Sequence, residues 1–363
     1  MPDTPPEGFA TPALTVDRDV LERNIGRMAR YAATGGFALR PHAKTHKCPQ
    51  IAELQLAAGA VGLTVATIGE AEVFAATGAR DLFIAYPLWL DEGKRDRVAA
   101  LAANVRLSAG VDSAESAQRL IGTGALAVIE VDSGHHRTGV QPAEAGTVAK
   151  AVRSLGLDVE GVFTFPGHGM AHDPDATPTQ VRLHAARDQE KALAEAADSL
   201  RAAGFEPNVV SGGSTPTAAL REDGVISELR PGVYVFNDAM QVALGSCTIE
   251  DVALSAVATV VSVPAPDRFV LDAGSKTLGA DVNGWARGYG LVPGYPGAMI
   301  TQLSEHHAVV TLPLDTRSPR LGDRVTVIPN HVCNAVNLAD ELLVVRDGRV
   351  VDRWPVAARG ANA

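Results

Sequence analysis

Three cysteines, Cys48, Cys247 and Cys333, are all that the 363-residue chain contains, and they lie far apart. So few, so widely spaced, make no disulfide framework and suit a reducing compartment better than a secreted scaffold. Long apolar runs are also lacking: no stretch approaches the about 20 apolar residues that a membrane helix requires. The opening Met1-Pro2-Asp3-Thr4-Pro5-Pro6 has neither the basic nor the apolar region of a secretory leader. A cytoplasmic protein with no membrane partner is expected. A basic stripe is missing too, and the formal net charge is −10. That balance disfavours nucleic acid and anionic membranes as partners, while leaving room for a local phosphate site and a small ligand.

What is present is a large supply of apolar residues, 46% against 20% charged, enough to bury two domains or one barrel with an appendage. From Phe37 onward, eight short apolar runs alternate with segments of helical periodicity: Phe37–Arg40, Gly62–Ala66, Leu82–Tyr86, Val105–Ala109, Ala127–Val131, Val159–Phe163, Asn208–Ser211 and Val225–Leu229. Such alternation is the pattern of parallel βα units. Helix punctuation agrees. Asp17 suits the cap of a helix through Leu21, Ile25 and Met28 that Gly35-Gly36 would stop, and another helix starts near Asp112-Ser113. Eight such units predict an α/β fold, a (β/α)8 TIM-type barrel, with its chemistry at the carboxyl ends of the strands. The rival, an open doubly wound sheet, would want a Gly-x-Gly-x-x-Gly turn after its first strand, where this chain has a lysine-bearing octapeptide.

After about Ser246 the texture turns β-branched, as in Val257–Val263, Arg268–Leu271, Ala308–Leu312 and Leu342–Arg346, which predicts a mostly antiparallel β domain. The early segment Ala13–Val16 is a candidate strand of that domain. The expected division is therefore 1–18 as an N-terminal segment, 19–245 as the barrel and 246–363 as the β domain.

The octapeptide Arg40-Pro41-His42-Ala43-Lys44-Thr45-His46-Lys47 ends the first run. Crowded like charges favour a deprotonated amine, the form in which a lysine attacks a carbonyl, although a solvated basic turn would read the same way. After the seventh run comes Ser211-Gly212-Gly213-Ser214-Thr215-Pro216-Thr217. Barrels commonly hold phosphate in this position, where glycine lets the backbone approach and hydroxyls donate; a plain tight turn is the alternative. Arg230-Pro231-Gly232-Val233-Tyr234 follows the eighth run and Asp132–Gly139, with Arg137, follows the fifth. Tyr234 is otherwise a core aromatic, and Arg137 a surface guanidinium. A lysine opposite a phosphate cradle defines an aldehyde cofactor held as a Schiff base, and pyridoxal 5′-phosphate fits.

Three separated motifs, Arg-Pro-His-x-Lys-Thr at Arg40–Thr45, Gly-Ser-Thr-Pro-Thr at Gly213–Thr217 and Pro-Asn-His-x-Cys at Pro329–Cys333, occur in order. With them the chain resembles the fold-type III pyridoxal-phosphate enzymes, the alanine racemase-like barrels, and within these the D-threonine aldolase and D-serine dehydratase branch. The resemblance implies that Lys44 carries the Schiff base, that Arg137 faces the cofactor ring near its phenolic oxygen, and that Gly213, Ser214 and Thr215 bind phosphate; the phenol of Tyr234, from its place after the eighth run, is a further candidate beside that loop. It also implies a head-to-tail homodimer.

His331 and Cys333 stand two apart. In an extended segment both would face one side and converge on a divalent ion, zinc being favoured by a thiolate over manganese or magnesium. Two ligands leave positions open for water or substrate. A buried cysteine near an unrelated histidine is the other reading of the residues alone. The family's aldolases tend to carry aspartate at the second position and its dehydratases resemble the cysteine, whereas Ala335-Val336-Asn337-Leu338 looks like the aldolase continuation. Gly167-His168-Gly169 and Ser304-Glu305-His306-His307 add His168 and His307 as candidate bases or hydrogen-bonding partners of the metal site. His42, His46, His135 and His136 are candidates for supporting positions.

The expected activity is a lyase acting on D-β-hydroxy-α-amino acids, D-threonine aldolase-like. The alternatives are a D-serine or 3-hydroxy-D-aspartate dehydratase and, from another class, a pyridoxal-phosphate carrier without turnover. A racemase would want a tyrosine from the β domain, where Tyr289 stands in a weak context.

Overall fold

The computed structural model describes residues 5–220 and 224–363. The first strand, β1 (Ala13–Asp17), runs into the helix α1 (Arg18–Thr34). Asp17 accepts a hydrogen bond from the Val20 backbone N–H at 3.0 Å, as its capping position predicts, and Gly36 at φ +71 lets the chain leave the helix.

Eight parallel strands then follow, one for each apolar run: β2 (Ala38–Leu39), β3 (Leu63–Val65), β4 (Asp81–Pro87), β5 (Arg106–Val111), β6 (Leu126–Glu130), β7 (Val159–Phe163), β8 (Val209–Gly212) and β9 (Glu228–Leu229). Their order is β2-β9-β8-β7-β6-β5-β4-β3. A parallel bridge between His42 and Thr64, flanked by Val61 N donating to Leu39 O at 2.9 Å and Thr64 N to Pro41 O at 2.8 Å, joins the two ends and closes the barrel. The strand β2 is short because Pro41 has no N–H to continue the ladder. Leu63, Leu82, Ile84, Leu107 and Phe163 are fully buried, the burial on both faces that parallel strands need.

The barrel interior also carries charge. Arg40 Nε donates to Glu228 Oε2 at 2.7 Å, Ser211 Oγ donates to Glu228 Oε1 at 2.7 Å, and Arg230 Nε donates to Ser211 Oγ at 2.8 Å. Arg230 lies over the faces of Phe83 and Phe163, whose rings meet edge to face at 4.9 Å. Burial pulls its pKa down to about 10, which still leaves it cationic at neutral pH.

The second sheet is built from β10 (Leu254–Ala265), β11 (Arg268–Leu271), β12 (Gly290–Leu291), β13 (Met299–Leu303), β14 (Ala308–Thr311), β15 (Arg324–Pro329), β16 (Glu341–Arg346) and β17 (Arg349–Pro355), together with β1. Its order is β13-β14-β11-β10-β1-β16-β17, with β15 pairing β10 and β12. All but one of these pairings are antiparallel; β1 lies parallel to β16. The early strand thus joins the β domain. The compact units interleave along the chain: one holds residues up to Gly26, Thr45–Gln50 and Val233–Arg359, the other Arg27–Lys44, Ile51–Gly232 and Gly360–Ala363. No helix among the described residues is long and apolar enough to cross a membrane.

Candidate active site

In the barrel unit the polar groups gather at the carboxyl ends of the strands, around one ring. Lys44, in the 3-10 turn Ala43–Thr45 beyond β2, places Nζ 5.7 Å from the centroid of Phe165, which follows β7. Arg137, in the loop after β6, places its guanidinium carbon 5.1 Å from the same centroid, and the His135 ring meets it edge-on at 5.4 Å. Lys44 and Arg137 are each cation–π partners of Phe165, and neither has a hydrogen-bonded or ion-paired acid among the described residues. Two cations with no acid partner, packed against one aromatic ring, suit an anionic, planar guest. This is the observation on which pyridoxal 5′-phosphate fits.

The turn after β8 is more self-contained than its sequence suggests. Gly213, at φ +79, donates its N–H to Gln189 Oε1 at 2.9 Å. Ser214 N donates to Thr217 Oγ1 at 3.0 Å and the two hydroxyls are 2.9 Å apart, so Thr217 is part of the cradle. Thr215 is half-buried. Tyr234 is 4% exposed in the turn Val233–Val235, which belongs to the other unit.

His168 lies in the turn Gly167–Met170, with Nε2 3.2 Å from Asp188 Oδ2 and a buried Nδ1 that has no hydrogen-bond partner. His135 has its pKa lowered, first by burial and then by the Arg137 and His168 charges. His136 is exposed and bound to Asp132 at 2.7 Å; His42 Nδ1 lies 3.5 Å from Lys44 N. His46 is buried, its Nδ1 accepting from Cys48 N at 3.1 Å.

In the β unit, His331 and Cys333 come together, but not as an extended pair. The strand β15 ends at Pro329, His331 is the residue before a helix (Val332–Leu338), and Cys333 is already inside it. The expectation of two residues on one face of a strand is corrected. An extended residue at φ −136 followed by a first helical turn brings the imidazole to the thiol instead. Asp238, whose side chain is fully buried, lies 3.3 Å from His331 Nδ1 and also accepts from Val332 N at 3.2 Å. A carboxylate on Nδ1 leaves Nε2 as the imidazole atom for an ion, the usual support of a metal-binding histidine. The pKa of His331 is pushed up to about 11, foremost by the Cys333 thiolate, against burial and with help from Asp238. Cys333 Sγ lies 3.4 Å from Thr45 Oγ1, the residue after Lys44. Among the described residues no three such donors converge, so the pair is an open set. His307 is exposed in the turn between β13 and β14, where Ser304 N donates to its carbonyl.

Phe165, Asp238, Glu130 and Arg230 were not among the residues singled out from sequence. Glu130 and Arg230 had a signal, a charged residue inside or just after an apolar run; Asp238 had none.

A closed eight-stranded barrel with a lysine at its first strand, followed by a mostly antiparallel sheet, is the architecture of the alanine racemase-like enzymes. Residues 16–239 match the alanine racemase N-terminal domain model and residues 253–345 the putative serine dehydratase domain model. The chain belongs to the alanine racemase N-terminal domain family. It is 34% identical to a D-threonine aldolase of Arthrobacter sp over 371 residues, covering 99% of this chain and 95% of that one. It is 38% identical to a D-threo-3-hydroxyaspartate dehydratase of Delftia sp. (strain HT23) over 355 residues, covering 89% and 90%. The crystal structure of D-threonine aldolase from Filomicrobium marinum superposes with a TM-score of 0.87 at 32% identity, over 97% of this chain and 96% of that one. These relatives are carbon–carbon and carbon–oxygen lyases, and this protein is a lyase.

Proposed function

We propose that the protein is a pyridoxal 5′-phosphate- and divalent-metal-dependent lyase that cleaves D-β-hydroxy-α-amino acids of the D-threonine type to glycine and an aldehyde. The observation that carries the reading is the pair of cations, Lys44 and Arg137, that share the Phe165 ring without an acid. Lys44 would hold the cofactor through its amine, Arg137 its phenolic side, and Gly213, Ser214 and Thr215 with Tyr234 its phosphate end. Bound there, pyridoxal 5′-phosphate supplies an electron sink for the pair released at Cα. His331 Nε2 and Cys333 Sγ would hold the ion, zinc before manganese or magnesium, and it would act as a Lewis acid on the β-hydroxyl.

The chain's own residues supply the proton traffic. His168 takes the β-hydroxyl proton at Nδ1, the atom without a partner, while Asp188 on Nε2 stabilises the resulting imidazolium. Asp238 fixes the face that His331 presents. His307 is exposed on a hairpin, a position from which it serves a second copy of the chain, in a head-to-tail homodimer in the cytoplasm.

A second reading rests on Cys333. With Lys44 taking the α-proton, and an ion held by His331 and Cys333 supplying Lewis acidity to the leaving hydroxyl, the same residues would perform dehydration of D-serine or 3-hydroxy-D-aspartate; one relative is a D-threo-3-hydroxyaspartate dehydratase. Incubation with D-threonine and D-serine under added metal separates the two. Glycine with acetaldehyde is expected; pyruvate or 2-oxobutyrate without glycine overturns the aldolase reading. An absorbance band near the visible edge that disappears in Lys44→Ala tests the cofactor.

A further inference from the structure

The stretch of chain that follows Lys44 is held in place by its own bonds. Lys47, at φ +50, accepts from Ala358 N on its carbonyl at 3.1 Å and donates its Nζ to the Ala358 carbonyl at 3.2 Å, while Cys48 N donates to His46 Nδ1 at 3.1 Å. Thr45 stands at the head of this stretch and is 0% exposed. With no solvent to turn to, its hydroxyl needs a partner inside the protein, and among the described residues that partner is Cys333 Sγ, 3.4 Å away. Cys333 lies in the first turn of its helix, and residues Thr45–Gln50 belong to the same compact unit as that helix.

Which way this bond points depends on what the sulfur carries. A thiol donates its proton to the hydroxyl. A thiolate that binds an ion has no proton to give, and its bond to the His331 imidazole is lost as well, because both groups then face the ion. We propose that Thr45 is the positioning residue of Cys333: its hydroxyl turns to donate to the thiolate, aims the sulfur and draws off part of its charge, so that the ion keeps more of its Lewis acidity. This rests on the reading that His331 and Cys333 hold an ion. The branched Cβ of threonine restricts its rotamer, which keeps the hydroxyl directed at one place. A buried threonine kept for its shape alone would be replaceable by valine. One that acts through the sulfur needs its hydroxyl and is replaceable by serine.

The test is metal binding by the full-length protein, with zinc competed against a chromophoric chelator and cobalt(II) followed by its sulfur-to-metal charge-transfer band. Thr45→Val should weaken zinc binding about tenfold, the low end for losing a partner that orients a metal ligand. It should also move the cobalt band to longer wavelength, because a hydrogen bond to sulfur lowers the energy of the electrons that the transition removes. Thr45→Ser should keep the zinc affinity and the band position of wild type. Thr45→Ala, which lacks the hydroxyl too, takes the place of Thr45→Val if that variant does not fold. A structural role alone would lower the thermal midpoint of the metal-free protein and leave the cobalt band where it is. A band unmoved in Thr45→Val, an unchanged zinc affinity there, or equal losses in Thr45→Ser and Thr45→Val overturn the proposal while the metal reading stands. If the wild-type protein binds neither zinc nor cobalt, the metal reading itself falls and the proposal falls with it.

Discussion

At the scale of single residues the barrel interior is held by charge as much as by packing. Arg40 is 6% exposed and bonded to both Glu228 and Asp81, whose combined pull outweighs its burial and raises its pKa. Removing one partner of a buried pair leaves the other uncompensated, so Glu228→Gln should destabilise the protein by about 3 kcal/mol or more, measured by urea unfolding. A loss below about 1 kcal/mol would mean that Asp81 suffices. Asp132 gives a pH signature. Its burial alone would raise its pKa, but the Gly134 and His136 backbone N–H groups and the His136 ring outweigh that and lower it. A carboxylate with a depressed folded pKa stabilises above its unfolded value near 3.8, and that contribution is lost as pH falls through the lowered value. Asp132→Asn should therefore melt below wild type at pH 7, with the gap closing at acid pH. A gap that is constant with pH would assign the loss to packing instead.

Among the elements, the barrel strands were legible because a parallel strand buried on both faces reads as a near-continuous apolar run, as Leu82–Tyr86 does. The strands of the β domain showed through their β-branched residues for a similar reason. The His331–Cys333 segment was read with the wrong geometry, since Val332 to Leu338 has an apolar rhythm too short to distinguish a short helix from a strand end. The residues that orient the site were harder still. Asp238 reaches His331, and Phe165 gathers Lys44 and Arg137, through proximity that no local pattern encodes. Where elements meet, one glycine is decisive: a Cβ on Gly161, in β7, would collide with the Val209 carbonyl of β8. Gly161→Ala should break the β7–β8 register and remove most folded protein, seen as loss of soluble yield and of a cooperative melt. A soluble variant with an unchanged midpoint would show that the two strands can spread apart.

Over the whole molecule, the chain crosses between its two units within the motif that was its strongest sequence signal, Lys44 belonging to one and Thr45 to the other. The cofactor-side group around Phe165 is built entirely in the barrel unit, whereas His331, Cys333 and Asp238 belong to the β unit. Two groups with separate supports should be separable by chemistry. On the proposed function, chelation would remove an ion held by His331 and Cys333 and leave Lys44, Arg137 and Phe165 alone, so it should abolish turnover of D-threonine while the absorbance band near the visible edge persists. It should also lower the thermal midpoint, because a ligand that binds only the folded state stabilises it by mass action. Cys333→Ser should reproduce the chelated protein and, lacking the soft ligand, should not be rescued by zinc at concentrations that restore the chelated wild type. Full turnover after chelation would remove the ion from the reaction. Loss of the band together with the metal would show instead that cofactor binding depends on the ion.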